Sequence, residues 1–357
     1  MTDTAGVSPS ASQPEPTSDS KSVEEAAARA GQQQGGLALL RTSAGRNLGL
    51  VLALVLVCIA GFVTSGSQFA NLDNALTILR LASVIGVVSI GMTFVIIGGG
   101  IDLSVGAIVA LASVWCTTLA TQRMAEDTHW TMMVFSALAV GLGCGLVNGL
   151  LISYGGVVPF IATLAMLAAA RGYAEILAQR RTQLVSVSEF LDFFRIDVLG
   201  VPMLVLIFVV VSAIGWVVLN RTTFGRRTLA VGGNPEAARL AGINIKRHTV
   251  MLYALLGLCC GIAALMITAR TTTGASTHGL LYELDAIAAV VIGGTLLSGG
   301  RGTIVGTVLG VLIFGVLNNV FVQNDLSSSA QAVAKGVIIV AAVLLQQRFA
   351  RQSSSSP

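Results

Sequence analysis

The chain has 357 residues, 54% of them hydrophobic and only 11% charged, with a formal net charge of +4. A soluble domain carries about 25% charged residues, so this composition leaves little room for a soluble globular protein, a disordered chain or a nucleic-acid binder. With a mean hydropathy of +0.83, it reads as a polytopic membrane protein whose basic balance faces anionic lipid.

Residues 1–46 contain no aromatic residue and are rich in Ser, Ala, Gln and Gly. Such a segment cannot offset its ordering entropy, so a disordered N-terminal tail is expected there. A cleavable signal peptide is not, because polar sequence precedes the first apolar run. Residues 47–348 form the membrane body and 349–357 a short C-terminal tail. A helix of ~20 residues crosses the ~30 Å hydrocarbon core. The runs near 48–66, 76–98, 103–121, 131–153, 158–178, 202–219, 249–269, 284–297, 303–322 and 331–347 predict an all-α protein with about ten spans. The glycine runs Gly98-Gly99-Gly100 and Gly299-Gly300 mark places where the chain breaks or re-enters.

Orientation follows from the basic residues. Placing the N-terminus inside puts Arg41, Arg46, Arg221, Arg226, Arg227, Arg239, Lys246, Arg247, Arg301, Arg348 and Arg351 on the cytoplasmic side. Near membrane ends on the opposite side stand Arg123, Arg180, Arg181, Arg195 and Arg270. That bias predicts cytoplasmic termini, an even number of spans and a cytoplasmic loop over 220–248. Two internal similarities compete. Gly99-Gly100 through Val105-Gly106 matches Gly299-Gly300 through Val305-Gly306, whereas Gly145-Leu146-Val147-Asn148 matches Gly315-Val316-Leu317-Asn318 in an inverted sense.

Several chemistries are disfavoured. None of the three lysines (Lys21, Lys246, Lys335) ends a phosphate-binding Gly-x-x-x-x-Gly-Lys sequence. No Cys-x-x-Cys, His-Glu-x-x-His or Gly-x-Ser-x-Gly occurs, so neither a metal site nor a hydrolase nucleophile is indicated. No acid sits mid-span, which speaks against ion coupling. Asp102 is read either as the N-cap of span three or as a gating group. Arg171 and Glu175, four apart, are expected to pair on one helix face.

Within 220–248, Asn234 is a good N-cap, Pro235 suits a first helical position, Glu236 complements the positive helix end and Gly242 is a natural stop. A helix this short is marginal alone. Ser89, Thr93, Asn148, Thr163, Asn318 and Asn319 are uncharged polar residues in spans, suited either to a neutral hydroxylated cargo or to helix–helix bonds. Gly141, Gly145 and Gly149, and also Gly302, Gly306 and Gly310, form small-residue faces for helix packing or a dimer seam.

Gly99-Gly100-Ile101-Asp102-Leu103-Ser104-Val105-Gly106 resembles the signature of monosaccharide ATP-binding cassette permeases, the ribose, xylose and arabinose group. Residues 232–243 resemble that family's coupling segment, and 282–302 its late-span signature. The resemblance implies a type II importer-like permease. Its partners would be a separate cytoplasmic ATPase with two nucleotide-binding domains, an extracytoplasmic sugar-binding protein and a second permease copy. ATP and Mg would bind the ATPase, leaving this chain without a cofactor. Asn234, Pro235, Glu236, Ala237, Arg239 and Gly242 would form the ATPase-coupling helix. Gly100, Asp102, Ser104, Gly106, Glu283 and Asp285 would be signature or gating residues. Rival readings are a permease for branched-chain amino acids or nucleosides, an ATP-independent facilitator and a membrane scaffold.

Overall fold

The first long helix, α1 (Ser43–Phe69), is followed by α2 (Leu72–Ile97), which starts at Asn71, whose side chain accepts the Asp73 N–H at 3.1 Å. The computed structural model describes residues 43–338, 340 and 344. Most of the expected N-terminal tail, the tail 349–357 and much of the run 331–347 lie outside the described residues. Two units, Met1–Gly49 and Leu50–Pro357, partition the chain, and the helix bundle is the second.

Next come α3 (Val105–Cys116), α4 (Leu119–Asp127), α5 (Thr131–Ser153) and α6 (Pro159–Ala178). The connection to α8 (Met203–Arg221) is folded. It holds β1 (Gln183–Leu184), α7 (Ser188–Arg195) and a hairpin of β2 (Asp197–Val198) and β3 (Val201–Pro202). Beyond α8 lie α9 (Thr223–Gly233), α10 (Pro235–Leu240) and α11 (Ile245–Thr271). The chain continues through β4 (Thr273–Gly274), α12 (Tyr282–Ile292) and α13 (Ile304–Gln323), and residues 328–338 are again helical. β1 pairs antiparallel with β4, Gln183 opposite Gly274. The fold is mostly helical, as expected, and two two-stranded pairings tie connecting loops together.

Among the described residues, seven helices, from α1, α2, α5, α6, α8, α11 and α13, are long and apolar enough to cross a membrane, and the bent pair α3–α4, counted as one span, makes an eighth. The ten expected runs differ from this at particular places. The third is split by a 53° bend, because Thr117 Oγ1 takes the carbonyls of Ser113 and Val114 while Thr118 caps α4. The eighth stops after 11 residues at Gly293-Gly294, where Gly294 adopts φ +86°, so α12 rises only ~16 Å, about half a crossing. The tenth is helical where described.

Burial separates the helices by role. α2 is buried along most of its length, from Ile78 to Ile97, and α11 is its main neighbour. α1 and the outer faces of α5, α6 and α8 expose Leu, Ile, Val and Phe, as helices facing lipid do. Both predicted small-residue faces pack helix on helix within the chain. Gly141, Gly145 and Gly149 let α5 cross α11 at Gly257, Gly261 and Val250, and Gly306 and Gly310 seat α13 against Gly293 and Ala289 of α12.

A Cβ at Gly145 would overlap the Tyr253 carbonyl, whereas Gly143 has open space around it. Gly145→Leu is expected to cost about 1–3 kcal/mol through overpacking, lowering the thermal unfolding midpoint in detergent, while Gly143→Leu leaves it unchanged.

Candidate coupling segment and buried polar site

At one end of the bundle, α8 hands the chain to α9 through Thr222, whose Oγ1 accepts the Gly225 N–H. Phe224 packs its ring on Phe94 of α2 and on His248 of α11, and Thr228 Oγ1 shares a 2.9 Å hydrogen bond with His248 Nε2. α9 is too short and polar to appear among the apolar runs; Gly225, Thr228 and Val231 form its buried face, and tertiary contacts hold it.

α10 has the local geometry its residues predict. Asn234 Oδ1 accepts the Ala237 N–H at 3.0 Å, Pro235 occupies the first turn, and Gly242 turns the chain with φ +81° as its N–H bonds Arg239 O. Only Ala238 of this helix is buried; Pro235, Glu236, Ala237, Arg239 and Leu240 face outward. Arg239 and Glu236 pair at 3.0 Å, one turn apart and exposed, a pair worth only ~0.2–0.5 kcal/mol. Leu240, 84% exposed, is a large apolar side chain on this face that the motif does not single out. Around it stand the exposed bases Arg221, Arg226, Arg227, Lys246 and Arg247.

Beneath this segment lies the break between α2 and α3. Asp102 is fully buried, but it is not the N-cap of α3; Ser104 occupies that position with helical backbone angles and no side-chain cap bond. Asp102 Oδ1 instead accepts the Ser104 N–H at 2.7 Å and the Ser104 hydroxyl at 2.5 Å. The short side chain bonds the backbone two residues on and makes an Asx turn. Asn148 of α5 donates to Ser104 Oγ at 2.9 Å and to Asp102 Oδ2 at 3.3 Å. Tyr253 of α11 donates its hydroxyl to Ile101 O at 3.3 Å. Four helices thus converge on one buried polar knot.

The second break separates α12 from α13. Asp285, in the first turn of α12, pairs with Lys335 at 3.0 Å, both largely buried. Lys335 escapes a sequence reading because its partner lies 50 positions away. Glu283 sits with its carboxylate against Gly106, so two of the expected signature residues meet. The Arg171–Glu175 pair does not form. Arg171 donates to the Ser276 and His278 carbonyls, and Glu175 pairs with Arg180 at 3.7 Å. Unpaired carbonyls in the loop before α12 draw the guanidinium away from its helix neighbour.

The polar residues suggested for a path divide. Ser89 bonds Ile85 O, Thr163 bonds Pro159 O, and Thr93 shares a 2.7 Å bond with Thr307 of α13. Asn319 exchanges two hydrogen bonds with Asn74 of α2. These bonds serve helix structure, and Asn148 belongs to the Asp102 knot. Asn318 is half-buried one position from the asparagine pair. Among the described residues no group of three or more His, Cys, Asp or Glu side chains is placed to hold a metal.

Two outcomes test this arrangement. Removing one partner of a buried ion pair costs about 3–5 kcal/mol, whereas replacing both with apolar groups costs much less. Asp285→Leu and Lys335→Met are therefore each expected to lower the unfolding midpoint in detergent, and the double variant to regain most of the loss. In the loop before α12, burial first, and then Arg270 and Arg171, hold the His278 imidazole down at about 4. The unfolded chain binds that proton near pH 6.5, so His278 contributes stability above that pH, and the contribution is lost as pH falls towards 4. His278→Gln is expected to flatten the decline of the unfolding midpoint between pH 7 and pH 4.5.

Known proteins are similar to this chain over most of its length. Residues 74–344 match the family described as branched-chain amino acid transport system / permease component. The chain is 42% identical over 306 residues to the ribose import permease protein RbsC of Bacillus subtilis, covering 85% of this chain and 92% of that one. It is 38% identical over 303 residues to RbsC of Escherichia coli K12 (84% and 92%), and 33% identical over 297 to that organism's D-allose transport system permease protein AlsC (83% and 90%). No solved structure matches. With membrane-crossing helices and a family match over most of its length, the chain belongs to this family of multi-pass transport permeases.

Proposed function

We propose that the protein is the membrane-spanning permease subunit of an ATP-binding cassette importer that carries a monosaccharide of the ribose or xylose kind across the bacterial cytoplasmic membrane. The 42% identity to a ribose import permease over 85% of the chain carries the substrate class. A neutral sugar suits an interior in which the partly buried charges of Asp285 and Lys335 already neutralise each other. The family description favours a second cargo, a branched-chain amino acid, but a zwitterion would call for unpaired charges of both signs along the path.

A separate ATPase with two nucleotide-binding domains supplies the nucleotide chemistry, so ATP and Mg bind there. α10 is the contact with it: a preformed, exposed, two-sign helix carrying Leu240 in a basic surround. Seven long helices, the α3–α4 pair, α12 with its break and the C-terminal helix support ten crossings or half-crossings. Read as ten crossings, an even number, the chain has both termini on the cytoplasmic side with the basic loop. An extracytoplasmic sugar-binding protein delivers the cargo, and a second copy of this chain completes the pore.

Reconstitution into liposomes with the ATPase and the binding protein tests this reading against labelled ribose, xylose, arabinose, galactose, allose and leucine. The expected outcome is ATP-dependent accumulation of a monosaccharide and none of leucine. Leucine accumulation would refute the substrate class, and accumulation without the ATPase would refute the cassette mechanism. Combining Glu236→Lys with Arg239→Glu keeps the local pair but reverses its charges. This variant should insert normally yet lose ATPase association and about tenfold or more of uptake; unchanged association removes α10 from the contact.

A further inference from the structure

We infer that Gly99, Gly232 and Gly300 form a backbone junction through which movement of α10 reaches both helix breaks together. This rests on the coupling reading of α10 and extends it to the route that force takes inside the membrane domain.

Three segments far apart in sequence meet here backbone to backbone. The turn that ends α2 is closed by Gly99 N–H to Ile96 O and Gly100 N–H to Val95 O, each 2.9 Å, with Gly99 at φ +84°. The turn before α13 places Gly299 and Gly300 at φ +86° and +74°. The two turns are joined directly, as Gly300 N–H donates to Ile97 O at 2.8 Å. Gly232, at the end of α9, lies across the joint. A Cβ there would overlap the Ile97 carbonyl and stand 2.7 Å from Gly300 N. A Cβ on Gly299 would stand 2.8 Å from Gly232 O and 3.1 Å from the Gly99 Cα, and one on Gly300 2.7 Å from the Gly233 Cα.

No side chain cushions these contacts. Packed backbone is nearly incompressible compared with a flexible side chain, so a displacement on one side is passed on rather than absorbed. α10 begins at Pro235, only three residues beyond Gly232. Any shift of α10 therefore loads the joint at once, and the joint holds the ends of both α2 and the α12–α13 break. Phe224 and Thr228, fixed to Phe94 and His248, keep α9 from swinging independently. Gly99-Gly100 and Gly299-Gly300, similar in sequence, are gripped by one segment although their turns differ, since Gly299 and Gly300 both adopt positive φ and of the first pair only Gly99 does.

The neighbouring glycine provides an internal control. At Gly233 an added Cβ would lie 4.0 Å from the nearest atom, the Gly300 Cα, which is ordinary contact distance. In liposomes with the ATPase and binding protein, Gly233→Ala should transport as the parent does. Gly232→Ala should keep ATPase association and hydrolysis while sugar uptake falls about tenfold or more, within the usual range of coupling between sites. Parent-level uptake in Gly232→Ala overturns the junction, and a parallel fall of hydrolysis and uptake marks mere packing and overturns it too.

If Gly232→Ala does not fold, spin labels on Ala241→Cys, exposed just beyond α10, and Arg301→Cys in the otherwise unchanged assembly give the answer. Their separation should stay constant within about 2 Å between nucleotide-free and ATP-bound states, while that from Arg301→Cys to Tyr154→Cys changes. A varying first separation or a constant second one overturns the proposal. Neither measurement depends on the charge-reversed α10 variant, so failure of the ATPase contact and failure of the junction give different results.

Discussion

Contact between bare backbones is the constraint on which this bundle depends. Lipid tails are as apolar as leucine side chains, so burying apolar surface does little to draw one membrane helix to another. Close approach supplies dispersion contacts instead, and close approach requires the Cβ to be absent. Gly141, Gly145, Gly257 and Gly261 bring α5 onto α11, and Gly293, Gly306 and Gly310 bring α12 onto α13. The same geometry recurs at Gly232 and Gly300, where it joins the basic loop to both breaks.

The breaks add a second demand. A broken helix inside a membrane frees backbone groups that lipid cannot satisfy. Here Asp102 closes the first turn on Ser104, and Asn148 and Tyr253 reach in from α5 and α11. Arg171 takes the carbonyls of the loop before α12, and Lys335 neutralises Asp285. Of the polar residues that look like candidates for cargo binding, Asn148 steadies a break, while Ser89, Thr93, Thr163 and Asn319 bond within or between helices.

Much of the site is legible from sequence because its local chemistry is short-range. Asn234, Pro235 and Gly242 state the start and end of α10 within nine residues, and the structure places them so. Asp102 resembles a cap because an Asx turn and an N-cap use the same side chain next to the same kind of helix start. Choosing between them depends on Ser104 and Asn148. The Arg171–Glu175 pairing fails for a related reason: helical spacing describes which side chains can meet, not the partner that offers more.

Composition and the length of the apolar runs by themselves determined a membrane protein of many helices, since those quantities are set by bilayer thickness and need no partner. Motif order by itself determined the transport family. Only the tertiary structure decided where apolar runs bend or stop short, that both glycine faces pack within the chain, and that the three motif segments touch. Those outcomes depend on distances between residues separated by tens to hundreds of positions, such as Ile97 with Gly300 or Asp285 with Lys335. A one-dimensional pattern carries no information about such distances until the helices have packed.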